Sequence, residues 1–154
     1  MGILDCASAA SQWRGYSYYT ENRVIKLEKQ DENVFTSEVR GNSAHTYSVE
    51  LHIDHPRSSR CNCPHAAGKR IICKHLVATY FAALPQVAEN FYENVVKPQE
   101  EEERLEEEIY DKVCDFVDNL SEDDLKSALL RLLFDGPDWQ YEKFVVENGL
   151  HDYY

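Results

Sequence analysis

Residues 61–75, CNCPHAAGKRIICKH, hold three of the five cysteines and two of the six histidines of this 154-residue chain. Thiol and imidazole in so short a window can form a disulfide clip, an activated thiol or a metal site. Five cysteines cannot all pair, and a reducing compartment disfavours a disulfide. Cys61 and Cys63 are two apart, so on an extended ribbon both sulfurs face one side. Cys73 and His75 are also two apart, but two helical steps rotate side chains by about 200°. Cys73 is therefore expected just before a helix, with His75 in its first turn. The nine residues between Cys63 and Cys73 include Gly68 and are long enough to fold back. Cys61, Cys63, Cys73 and His75 then make a closed Cys3His set suited to structural Zn2+. His65 is the competing imidazole. His75 is preferred, because Cys-x-His mirrors the first pair and anchors a helix.

Four protein ligands leave no open coordination position, which a catalytic zinc requires. The His-x-Glu with Pro-Cys-x-x-Cys deaminase pattern is absent, as are Gly-x-Ser-x-Gly, a phosphate-cradling glycine loop and His-Glu-x-x-His. The expectation is a non-enzymatic protein with no catalytic residues and no small-molecule substrate.

The ligand quartet resembles the SWIM zinc finger pattern: Cys-x-Cys, a variable spacer, then Cys-x-His. SQWRGYSYYTENRV (11–24) is similar to the segment that often precedes the finger in bacterial SWIM proteins, and CKHLVATYFAAL to the helix that follows it. The resemblance covers roughly residues 5–84. It implies a zinc-stabilised module of a few strands and a helix, with the four residues above as ligands. SWIM modules are generally regarded as DNA-binding or protein-interaction units. The implied partners are therefore DNA, single- or double-stranded, or a protein such as a Swi/Snf-type ATPase.

Elements must position the quartet. Residues 5–21 read as an amphipathic helix interrupted by Gly15, with Asn22 as its stop. Strands are expected at 23–28, 34–40 and 45–53. In the last, Tyr47, Val49, Leu51 and Ile53 alternate with polar residues, the signature of a sheet with one buried face. A buried helix follows at 75–84, and another opens at Pro85 and stops near Pro98. The fold class is α+β. A small antiparallel β-meander with an N-terminal helix and the Cys3His site leading into a helix occupies 1–97, and an acidic helical extension occupies 98–154.

Charge divides the chain at the same place. The net charge of −12 splits into 11 Lys+Arg and 10 Asp+Glu over 1–97, and 5 against 18 over 98–154. Residues 55–75 carry Arg57, Arg60, Lys69, Arg70 and Lys74 with no acid. These cations can contact phosphates, with Arg57, Arg60, Lys69 and Arg70 the candidates for nucleic acid, or they can offset the charge of a three-thiolate zinc site. Trp13, Tyr16, Tyr18 and Tyr19 can stack on bases, but core packing is the expected use. In the tail, Leu105, Ile109, Val113, Phe116 and Leu120 recur at helical spacing, with packing on Leu129, Leu132 and Trp139 expected. The tail could also mask the basic window or dock another protein. No run of apolar residues is long enough to span a membrane, and no secretory signal is read at residues 1–13, so a cytoplasmic protein is expected.

Overall fold

A computed structural model describes residues 2–42 and 45–150. The chain divides into two compact units, Met1–Pro98 and Gln99–Tyr154. Among the described residues no helix is long and apolar enough to cross a membrane.

The first unit opens with a 3-10 turn, Leu4–Cys6, and helix α1, Ala9–Thr20. Ser8 caps α1 by accepting from the Ser11 N–H, so the helix starts later than the apolar spacing suggests. Asn22, at φ 52°, ends it in the left-handed region that Asn tolerates. The N–H groups of Asn22 and Arg23 return to the carbonyls of Tyr19 and Tyr18, which satisfies the end of the helix. Four antiparallel strands follow in the order β1-β2-β3-β4: β1 Val24–Asp31, β2 Val34–Arg40, β3 Thr46–His52 and β4 Arg60–Cys61. β1 runs further than expected, because Lys29 and Asp31 pair with Phe35 and Val34. The polar stretch after Glu28 is thus strand, and the turn shrinks to Glu32–Asn33.

Phe35, Val39, Val49 and Leu51 point from the sheet to a single face. Helix α2, Lys74–Ala83, lies on that face and packs on its other side against α1. Leu76, Val77, Ala78 and Phe81 of α2 are fully buried. Each large side chain so enclosed contributes roughly 1.5–3 kcal/mol. Gly15 permits the α1–α2 approach: a Cβ there would stand 2.5 Å from Val77 and 3.0 Å from the Lys74 carbonyl oxygen. Thr79 donates to the His75 carbonyl at 2.9 Å and shares a 2.6 Å hydrogen bond with Ser37 of β2, so two buried hydroxyls tie α2 to the sheet. Trp13, Tyr16 and Tyr19 pack against this core, where Tyr16 meets Phe81 edge-on at 5.7 Å.

Helix α3, Pro85–Phe91, continues through a π turn, Tyr92–Val96, into α4, Lys97–Asp118. Pro98 therefore does not stop the chain's helical path. A proline has no N–H and crowds the carbonyl four residues back. The wide turn before it, in which the Lys97 N–H reaches the Tyr92 carbonyl, accommodates that crowding.

The second unit contains most of α4, then α5, Glu122–Phe134, and α6, Asp138–Glu147. Ser121 caps α5 by accepting from the Asp124 N–H, while its hydroxyl donates to the Asp124 carboxylate. Only Leu133 is buried among this unit's described residues. The packing expected between the α4 stripe and Leu129, Leu132 and Trp139 is not found: Leu105, Ile109, Val113 and Phe116 are exposed, as are the three proposed covers, and of the stripe only Leu120 is half-buried.

Candidate metal centre

β4 supplies Cys61 and sets it opposite Val49 of β3, on the core side of the sheet. Cys63 lies two residues past the end of the strand, after Asn62. The chain then turns on hydrogen bonds from the Ala66 and Ala67 N–H groups to the Cys63 carbonyl, and Gly68 adopts a φ of 71°. Ala66 and Ile72 are buried and hold the spacer to the body, with Ile72 bridging to Ala7. Cys73 is the N-cap residue of α2, and His75 lies in the first turn.

These elements bring Cys61, Cys63, Cys73 and His75 together, with donor atoms all within 4.8 Å of one another. All four are buried, none more than 5% exposed. The Nδ1 of His75 is the nitrogen turned to the sulfurs, 3.7 Å from Cys61 Sγ and 3.8 Å from Cys73 Sγ. In a tetrahedral zinc site, ligand bond lengths place sulfur and nitrogen about 3.5 Å apart and two sulfurs about 3.8 Å apart. The donor set is soft and nitrogen-completed, as zinc prefers. His75 Nε2 is buried with no hydrogen-bond partner among the described residues. A histidine placed so at a thiol cluster gains its favourable interaction through Nδ1. The residues therefore fit zinc: the quartet is positioned to bind it.

The thiols influence one another strongly. Cys61 donates to Cys73, which, with burial opposing and His75 assisting, holds the Cys73 thiol down to about 4. Cys61 is raised above the ordinary thiol range, because it keeps the shared proton and is buried beside a thiolate. Cys73 also caps the positive end of α2, which favours its thiolate form further.

Two tyrosines enclose His75: the Tyr47 ring at 4.6 Å and the Tyr18 ring at 5.4 Å. Two cations lie against the Tyr18 ring, with Lys74 Nζ 4.3 Å and Arg23 Cζ 4.5 Å from its centre. Its hydroxyl donates to Asn42 Oδ1 at 2.6 Å, and Arg23 donates to the same oxygen at 2.9 Å. Gly41 is also required here, since a Cβ would stand 2.7 Å from the Tyr47 ring. Sequence reasoning did not single out Tyr47, Arg23 or Gly41 for this shell. Only the inward phase of Tyr47 along β3 pointed to it.

The remaining site candidates are dispersed. Arg57 sits in the 3-10 turn Pro56–Ser58, Arg60 opens β4, and Lys69 and Arg70 follow Gly68. All four are exposed, and their side chains form no ion pair among the described residues. Arg60 and Lys69 line one depression of about 270 Å³ with Asn62, Ala66, Ala67 and Gly68, while Arg57 and Arg70 do not. Arg60 also borders an open groove of about 410 Å³ on the outer sheet face, among Glu28, Glu38 and Glu50. His65 is exposed and outside the cluster.

The SWIM zinc finger family model matches residues 47–84, the stretch from β3 through α2 that contains all four donors. SWIM zinc fingers are binding modules and are not typically catalytic. No curated protein and no solved structure matches the chain significantly. Residues 47–84 thus match the SWIM zinc finger model, and the four donors converge inside the matched stretch, positioned to bind zinc.

Proposed function

We propose that the chain is a non-enzymatic, zinc-stabilised adaptor whose finger contacts nucleic acid, with Cys61, Cys63, Cys73 and His75 as the zinc ligands. Zinc, when bound, supplies a cross-link between the β4 ribbon and the start of α2. The burial of all four donors supports a structural ion rather than a reactive one. The observation that carries the nucleic-acid reading is the set of exposed cations beside the centre. Arg60 and Lys69 share a depression floored by small residues, and neither is committed to a carboxylate among the described residues. Lys74, by contrast, is engaged over Tyr18 and serves the site. Phosphate contacts through so few cations give weak binding with a modest salt dependence, because the salt slope scales with the number of phosphates contacted.

Fluorescence anisotropy with single- and double-stranded DNA, at low and physiological salt, tests this reading. Binding that weakens with salt, and that Lys69→Glu with Arg70→Glu abolishes while zinc content is unchanged, is the expected result. No binding at low salt overturns it. A second reading, a protein-interaction module in which zinc only holds the fold, is favoured by the carboxylates around Arg60 on the outer sheet face. In that case the same charge reversals leave partner binding intact.

A further inference from the structure

Helix α4 carries a feature that the zinc finger does not account for. Leu105, Ile109, Val113 and Phe116 are 51%, 59%, 54% and 65% exposed. At 100° per residue the four fall within an arc of about 80° on one face. By the same geometry Glu101, Glu108 and Asp115 border the stripe on one side, and Glu103 and Glu106 on the other. Lys112 lies beside it as well. The helix as a whole holds ten carboxylates against three bases. A contiguous row of large apolar side chains left in water marks an interaction face, and this spacing is that of a helix that pairs with another helix.

The charge border selects the occupant. A second copy of this chain would bring two strongly acidic helices side by side, which like-charge repulsion disfavours. The nucleic-acid backbone is excluded on the same ground. We infer that the α4 stripe docks a basic amphipathic helix from another protein. Such a helix carries aliphatic residues at i, i+3, i+4 and i+7, with Lys or Arg along both edges. Its apolar face covers Leu105, Ile109, Val113 and Phe116, and its cations meet Glu101, Glu108 and Asp115. This interaction involves only the second unit and does not depend on whether the finger binds nucleic acid.

The test uses the full-length, zinc-loaded chain and a labelled synthetic peptide of about 20 residues, with Leu at the four helical positions and Lys elsewhere. One control has the same composition scrambled so that Leu falls all round the helix. Another keeps the Leu pattern but replaces Lys with Glu. Anisotropy is expected to detect the amphipathic basic peptide at least about tenfold more tightly than either control, a clear difference in free energy. The double variant Ile109→Ser with Phe116→Ser should weaken binding about tenfold or more, at unchanged far-ultraviolet helix signal. The charge-only variant Glu108→Gln with Asp115→Asn should weaken it by a smaller factor and flatten its salt dependence. Equal binding of all three peptides, or full binding by the Ile109/Phe116 variant, overturns the inference. So does sedimentation of the parent as a dimer that this double variant makes monomeric, which would assign the face to a second copy.

Discussion

Phe81, Leu76, Val77 and Leu51 of the first unit are sealed from water, whereas in the second unit Leu133 is the one buried residue among those described. Both regions are rich in apolar side chains. In the first, a sheet face, two helices and four metal donors close on one another. In the second, helices are supported by local terms: the Ser121 cap and i,i+4 pairs such as Lys126 with Glu122. Such terms contribute a few tenths to about 1 kcal/mol each. The contrast teaches that apolar content alone does not make a core. Convergence from several elements does, and in a small unit an ion can supply part of it.

The contrast can be broken or sharpened by experiment. Removing zinc should have the largest effect, because structural zinc contributes on the order of 10 kcal/mol, comparable with the whole stability of a small domain. A strong chelator, or Cys73→Ser, is expected to abolish the cooperative melt and the near-ultraviolet signal of Tyr18 and Tyr47; retention of both would place the stability of the first unit in its apolar core alone. Acid acts in the same direction. Cys61 holds its proton above the usual thiol range because Cys73 shares it, and zinc must displace that proton. Zinc affinity therefore falls as pH falls, as competition with a chromophoric chelator at two pH values would measure.

Phe81→Ala comes next, at about 3–5 kcal/mol by denaturant unfolding of the zinc-loaded chain. Gly15→Ala forces a methyl against Val77 and should cost about 1–3 kcal/mol; a neutral result would mean that α1 and α2 separate readily. In the second unit Ser121→Ala should cost only about 1 kcal/mol, seen as a small loss of helix signal at 222 nm. Smallest of all, Cys6→Ser and Cys114→Ser should leave the zinc-to-protein ratio unchanged, since neither belongs to the donor cluster. A fall in that ratio for either would show that the quartet is not the whole site.

The metal quartet was the most legible part of the sequence, because four donors within fifteen residues need few assumptions about fold to converge. β3 was legible from strict alternation, and the start of α2 from the stereochemistry of Cys73 and His75. What escaped had no periodic signal. β4 is two residues long and exists only because β3 offers it an edge. The far half of β1 is polar because it lies at the sheet's other edge, so its pairing with Phe35 and Val34 left no apolar trace. Pro98 read as a helix stop, since local rules do not anticipate that a π turn absorbs the clash. The α4 stripe read as self-packed, because periodicity marks a face as apolar without saying what covers it. Tyr18 and Tyr47 around His75 were visible only as core candidates, since the approach of Arg23 to the Tyr18 ring depends on where α1 ends.

Placing Cys73 at the helix cap and His75 within the first turn carries a kinetic consequence. The slow step in making a helix is ordering its first few residues for little immediate return. Coordination through both residues orders those same torsions, so ion capture and the birth of α2 become a single event. The refolding rate of metal-free chain should then rise with free zinc concentration until another step limits it. An organism short of zinc would accumulate newly made chains with α2 unformed, exposing Leu76, Val77 and Phe81 to its proteases.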